Sequence, residues 1–231
     1  MVVKQLYSIV NYNEAVQCLD AGADHIGLVP QQRGGIINHR VHWEVADRIY
    51  RECERRGKKG IAIMLNWDPE EMLFIAKKLR PQIVHIAGMD YTADADFAKK
   101  LKEVSPGTEL MSAVLVDGPG AVDRAKELAE FSDYLLTDTG LAKETGIGAS
   151  GEVHDWDVDK EIVESVDIPV VIAGGLGPDN VEECIKYIKP FGVDSLTKTS
   201  YKYDDGVIEK DIPKVKEFCE RADKAAEKLE V

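Results

Sequence analysis

Short runs rich in β-branched residues alternate with longer amphipathic runs along the whole 231-residue chain. Parallel strands cannot be joined by a tight hairpin, so this alternation implies a parallel sheet with crossover helices. The runs 3–9 (VKQLYSI), 24–29 (DHIGLV), 59–65 (KGIAIML), 82–87 (QIVHIA), 109–116 (ELMSAVLV), 133–137 (DYLLT), 169–173 (PVVIA) and 193–197 (VDSLT) read as strands. Helices fall near 12–21, 42–56, 69–79, 93–104, 119–131, 157–165, 178–188 and 210–228. The first strand runs into Ile9-Val10-Asn11 without a glycine, so the GxGxxG turn of a dinucleotide-binding sheet is missing. Eight strand–helix repeats therefore predict an α/β fold, a closed (β/α)8 TIM barrel forming a single domain over residues 1–231. AGADHIGLV at 21–29 and FGVDSLTK at 191–198 echo one another weakly, as barrel repeats do. The longest irregular connection, 138–156, is glycine-rich and reads as a functional loop.

Charge and cysteine usage narrow the possible partners. A net charge of −13, with the acidic residues spread over helix faces, argues against nucleic acid and anionic membrane surfaces. The four cysteines, Cys18, Cys53, Cys184 and Cys219, form no CxxC or Cys/His cluster, so neither a metal site nor a disulfide framework is signalled. No cofactor fingerprint is present, and the N-terminus has no signal-peptide pattern. No apolar stretch approaches the ~20 residues of a membrane span. A cytoplasmic protein, monomeric or homodimeric, is expected to take a phosphorylated small molecule, for the following reason.

In a barrel of this kind the active site lies at the C-terminal strand ends. Those ends offer Tyr7 and Ser8, Arg33 and Arg40, Asn66 and Asp68, His85 and Asp90, Ser112 and Asp117, Asp138, Gly174 and Gly175, and Thr197 and Lys198. The stretch 168–200 joins a strand, a Gly-Gly turn, a capped helix with Pro178 at its start, a second glycine turn and another strand. Backbone N–H groups in such a unit, together with a helix N-terminus, suit a phosphate. Tight turns alone would also call for the glycines. Asp138 is either an acid of raised pKa or a cap on the loop that follows it. Trp43, Trp67 and Trp156 read as packing under loops.

PVVIAGGLGPDNVEECI, KPFGVD, LLTDT, GASGEVHDW and AGADHIGLV together resemble the phosphoribosylanthranilate isomerase family, in order and spacing, over essentially the whole chain. The resemblance implies an Amadori rearrangement of an aminoaldose phosphate to an aminoketose. It places the phosphate on Gly174, Gly175 and the turn Thr197-Lys198-Thr199, where the family usually has serine and glycine. It makes Asp138 the general acid that opens the furanose ring, and Arg40, with Arg33 as competitor, the fork for the substrate's aromatic carboxylate. The family's first strand ends in a cysteine base followed by glycine; here Tyr7 and Ser8 stand in those places. The four cysteines lie in helical patterns, away from strand ends. A phenol of pKa about 10 is a poor base at neutral pH.

Three readings remain open. The chain is an isomerase with another base (Asp90, His85 or Tyr7), a paralogue acting on a different phosphorylated compound, or a catalytically inactive phospho-ligand binding protein. A Schiff base on Lys4 or Lys198 is a further option, and His85 otherwise reads as a strand residue near the barrel mouth. The sequence favours an isomerase-like barrel acting on a phosphorylated sugar-type substrate by aldose–ketose or related proton-transfer chemistry, with a changed base. Catalytic work falls to Asp138 and Tyr7, and binding to Gly174, Gly175, Thr197, Lys198 and Arg40.

Overall fold

A computed structural model describes residues 1–31, 40–65, 68–87, 91–118, 120–138, 156–203 and 208–229. Among them, eight strands close into a barrel in chain order: β1 (Val3–Leu6), β2 (His25–Leu28), β3 (Lys59–Met64), β4 (Ile83–Ile86), β5 (Glu109–Leu115), β6 (Tyr134–Asp138), β7 (Val170–Ile172) and β8 (Gly192–Ser195). Neighbours pair in parallel, and β8 returns to β1 with Gln5 opposite Asp194 and Leu6 opposite Ser195. The helices are α1 (Tyr12–Asp20), α2 (Trp43–Arg55), α3 (Pro69–Leu79), α4 (Ala95–Val104), α5 (Gly120–Ala129), α6 (Trp156–Ser165), α7 (Val181–Ile188) and α8 (Ile212–Glu227). The closed (β/α)8 barrel predicted from the alternation is the fold observed.

The strands are buried on both faces, which explains their nearly continuous apolar runs. Successive side chains alternate between two cores. Ile61, Ile63, Ile83, Met111, Leu136 and Val171 fill the barrel interior. Ala62, Met64, Val84, Ile86 and Leu135 face the helices, where they meet Ile49, Met72, Ile75 and Leu101. Several helices start where a short polar side chain accepts a free N–H of the first turn. Asn11 Oδ1 takes Glu14 N at 2.9 Å, Asp68 takes Glu70 N at 3.0 Å, and Asp94 takes Phe97 N at 2.8 Å.

Predicted boundaries move by up to three residues, most visibly around the site. The first strand stops at Leu6, because the chain turns at Ser8, whose φ is 63°. The helix expected from 178 begins at Val181, after a turn closed by the bond from Val181 N to Gly177 O. The last barrel strand ends at Ser195, and Thr197–Thr199 forms a 3-10 turn instead. Beyond that turn, β9 (Ser200–Lys202) and β10 (Ile208–Lys210) pair in an antiparallel hairpin that the sequence pattern does not reveal.

Candidate active site

Strand parity that fills the interior with Ile83 and Leu136 also aims His85 of β4 and Asp138 of β6 inward, towards the mouth. Tyr7, just beyond β1, packs against the same interior cluster. Its hydroxyl lies 2.5 Å from His85 Nδ1 and 3.7 Å from Met111 Sδ. Room for the ring comes from Gly27 on β2, where an added Cβ would sit 2.3 Å from Tyr7 Cδ1.

His85 is 1% exposed, and burial pushes its imidazole down to about 3, so it is neutral. A neutral ring donates at one nitrogen and accepts at the other, and Nδ1 is the nitrogen that faces the Tyr7 hydroxyl. Nε2 has no hydrogen-bond partner among the described residues. Burial pushes the Tyr7 phenol well above its usual range, and the charges of Asp194 and Asp138 push it further. Tyr7, Asp138 and Asp194 thus share one electrostatic neighbourhood. Burial also drives the Asp194 carboxyl well above the carboxylate range, against the opposing pull of Lys210. Sequence reasoning misses Asp194; a charged residue at an inward position of the strand in FGVDSL is the signal that marks it.

A Gly-Gly turn after β7 and a 3-10 turn after β8 meet at the ends of these strands. Gly174 and Gly175 have φ of 86° and 65°, a region that L side chains rarely adopt. Asn180 stitches the turn: Oδ1 accepts from Gly177 N at 2.9 Å, and Nδ2 donates to Gly175 O at 3.0 Å. Ser195 Oγ donates to Leu176 O at 2.6 Å, tying the end of β8 to that turn. A Cβ on Gly177 would lie 2.5 Å from Lys198 Cβ, so the Lys198 stem packs directly on the first turn. The Lys198 ammonium stands 4.0 Å from the Asp179 carboxylate. Thr197 and Lys198 occupy the 3-10 turn rather than the strand.

Arg40 lies just before the bridge between Pro30 and Val41 that extends β2. Partial burial lowers its guanidinium, and the Glu71 carboxylate on α3 opposes that shift. Other strand-end candidates have structural partners. Asp68 caps α3, Ser112 Oγ meets Ser132 Oγ at 2.8 Å, and Asp117 pairs with Arg124. Lys4 is held by Asp223 at 2.7 Å and Asp24 at 3.0 Å, far from a Schiff-base role. All four cysteines are buried in α1, α2, α7 and α8, with the thiols of Cys18, Cys53 and Cys219 pushed up to about 12. None of them is placed to act as a base. Arg33, Asn66, Trp67, Asp90 and the glycine-rich stretch 146–151 lie outside the described residues.

Comparison with known proteins gives this arrangement its family. The model of the N-(5'-phosphoribosyl)anthranilate isomerase family matches residues 15–221. The chain belongs to the phosphoribosylanthranilate isomerase family. An N-(5'-phosphoribosyl)anthranilate isomerase of Methanocella arvoryzae is 31% identical over 208 residues, covering 90% of this chain and 92% of the relative. N-(5'-phosphoribosyl)anthranilate isomerase 2 of Methanosarcina mazei is 31% identical over 214 residues, 93% of this chain and 91% of its own. The crystal structure of phosphoribosyl anthranilate isomerase from Thermotoga maritima has a TM-score of 0.77 at 25% identity, covering 97% of this chain and all of that one. Tyr7 precedes the segment matched by the phosphoribosylanthranilate isomerase model. Among the described residues, no helix is long and apolar enough to cross a membrane.

Proposed function

We propose that the chain catalyses the Amadori-type isomerisation of N-(5'-phosphoribosyl)anthranilate, with Asp138 as the acid and the Tyr7–His85 pair handling the C2 proton. The observation that carries this reading is the 2.5 Å contact between Tyr7 Oη and His85 Nδ1, in the same electrostatic neighbourhood as Asp138. Gly174, Gly175 and the turn at Thr197 and Lys198 form the phosphate end of the site, and the Ser195–Leu176 bond that joins the two turns supports this assignment of their backbone N–H groups to the anion. Arg40 serves as the fork for the anthranilate carboxylate.

Opening the furanose needs a proton on the ring oxygen, which Asp138 supplies, leaving a carboxylate and a protonated Schiff base. A phenol held well above its ordinary pKa cannot act as a standing phenolate. It can act as a relay. As the C2–H bond breaks, its proton passes to Tyr7 Oη, and the phenolic proton passes to His85 Nδ1. The iminium is discharged to a neutral enolamine, which tautomerises to the ketose. The imidazolium formed at His85 is balanced by the carboxylate left at Asp138, so no unpaired charge stays buried. A site that places an acid and a proton relay together gives no support to a purely binding role.

The test is turnover of N-(5'-phosphoribosyl)anthranilate by the purified chain. Asp138→Asn and Tyr7→Phe are each expected to lower kcat by about 100-fold or more while unfolding cooperatively like the parent. Absence of turnover by the parent sinks the reading. Full activity in Tyr7→Phe removes the relay from it.

A further inference from the structure

Beneath the turn that follows β8 lies a lysine that the reaction above does not use. Lys210 ends β10 and is 5% exposed. Its Nζ lies 3.2 Å from the Leu196 carbonyl and 3.4 Å from that of Ser195. Ser200 Oγ at 3.0 Å and Thr199 Oγ1 at 3.3 Å complete the shell. The Lys210 backbone N–H donates to Glu14 Oε1 at 2.7 Å, and Glu14 Oε2 accepts Val10 N at 2.9 Å. Asp211 N donates to Thr199 O at 3.0 Å. The hairpin is thereby fastened to the start of α1 on one side and to the start of α8 on the other.

A buried ammonium is tolerated only when its donors are satisfied, and here the acceptors come from the turn itself. A trans peptide points its C=O and N–H in opposite directions. Because the Ser195 and Leu196 carbonyls turn towards Lys210, the N–H groups of Leu196 and Thr197 turn to the other side. We propose that Lys210 is a positioning residue of the phosphate site, holding the turn after β8 by its carbonyls so that its N–H groups are presented to the anion. This inference rests on the phosphate-cradle reading given above. Lys210 also puts a positive charge behind the peptide dipoles that it aligns. Ser200 Oγ reinforces the arrangement by donating to the same Leu196 carbonyl at 2.6 Å.

Calorimetric titration with inorganic phosphate, on the full chain and on Lys210→Met at a temperature where both are folded by circular dichroism, tests the proposal. The parent is expected to bind, and Lys210→Met to bind about tenfold more weakly. In turnover, KM for N-(5'-phosphoribosyl)anthranilate should rise about tenfold while kcat stays within about threefold, a split that a general loss of stability does not produce. Equal phosphate affinity in folded Lys210→Met overturns the proposal. Failure of the parent itself to bind phosphate overturns the cradle reading, and is told apart by that control. If Lys210→Met does not fold, Ser200→Ala removes one Nζ acceptor and is expected to weaken phosphate binding about threefold; unchanged affinity there counts against the role of Lys210.

Discussion

Tyr7 and Gly27 have to be understood as a pair. A phenol is far larger than a thiol, and the volume it needs is available because β2 carries no side chain at Gly27, where a Cβ would sit 2.3 Å from Cδ1 and 2.6 Å from Cε1 of the ring. Overpacking of a fixed interior forces off-rotamer side chains or backbone shifts. Gly27→Ala is therefore expected to destabilise the chain by about 2 kcal/mol and to move the phenol off His85. In a Tyr7→Cys background the same substitution should cost less than about 1 kcal/mol, since the two closest approaches come from the phenol ring and the next, Ile63 Cδ1, is at 3.3 Å. Urea unfolding of the four proteins measures the coupling, and additive effects would show that the glycine serves something other than Tyr7. The neighbouring Ser8 adds to the oddity of this corner, because its φ of 63° suits glycine better than serine.

At the level of elements, the site is made by turns rather than by strands. Asn180 holds the Gly-Gly turn through two side-chain bonds to its backbone, and leaves α7 without a side-chain cap. Asn180→Ala removes both bonds and should cost about 1–2 kcal/mol in urea unfolding. Weaker binding of inorganic phosphate should accompany it, and intact affinity would mean that the turn keeps its shape unaided. Strands and helices were legible in the sequence because two-sided burial writes long apolar runs and amphipathic helices write period 3.6. The ends were less legible. Whether Pro178 opens a helix depends on the bond from Gly177 N to the Asn180 side chain, and whether Thr197 continues a strand depends on bonds from Ser195 and Lys210 to backbone 19 and 14 residues away. The hairpin of β9 and β10 has three residues per strand, too few for any period to show. Asp138 and the Gly-Gly turn could be located from sequence, whereas the Tyr7–His85 contact needed the closed barrel to bring residues 78 positions apart together.

Across the whole molecule, the interior that positions the chemistry should also set the response to acid. His25 and His85 are buried neutral, pushed down by burial to about 4 and about 3. Unfolded histidine titrates near 6.5, so between about pH 4.5 and 6 the unfolded chain carries roughly two more protons at these sites than the folded chain. Asp194 acts in the opposite sense, because burial raises its folded carboxyl well above the carboxylate range. Lys210, lowered to about 8 by burial, is protonated in both states in this range and drops out. The histidines make stability fall as the pH drops across that window, and Asp194 moderates the fall. Surface carboxylates add a background common to the parent and its variants, and differences between them isolate the interior groups. His85→Gln should flatten the slope by about 1.4 kcal/mol per unit, and Asp194→Asn should steepen it, in urea unfolding between about pH 4.5 and 6. A His85→Gln slope equal to the parent's would mean that the imidazole carries a second proton in the folded state. Nδ1 would then be a donor and could not accept from Tyr7, so the relay geometry and the acid response stand or fall on the same nitrogen.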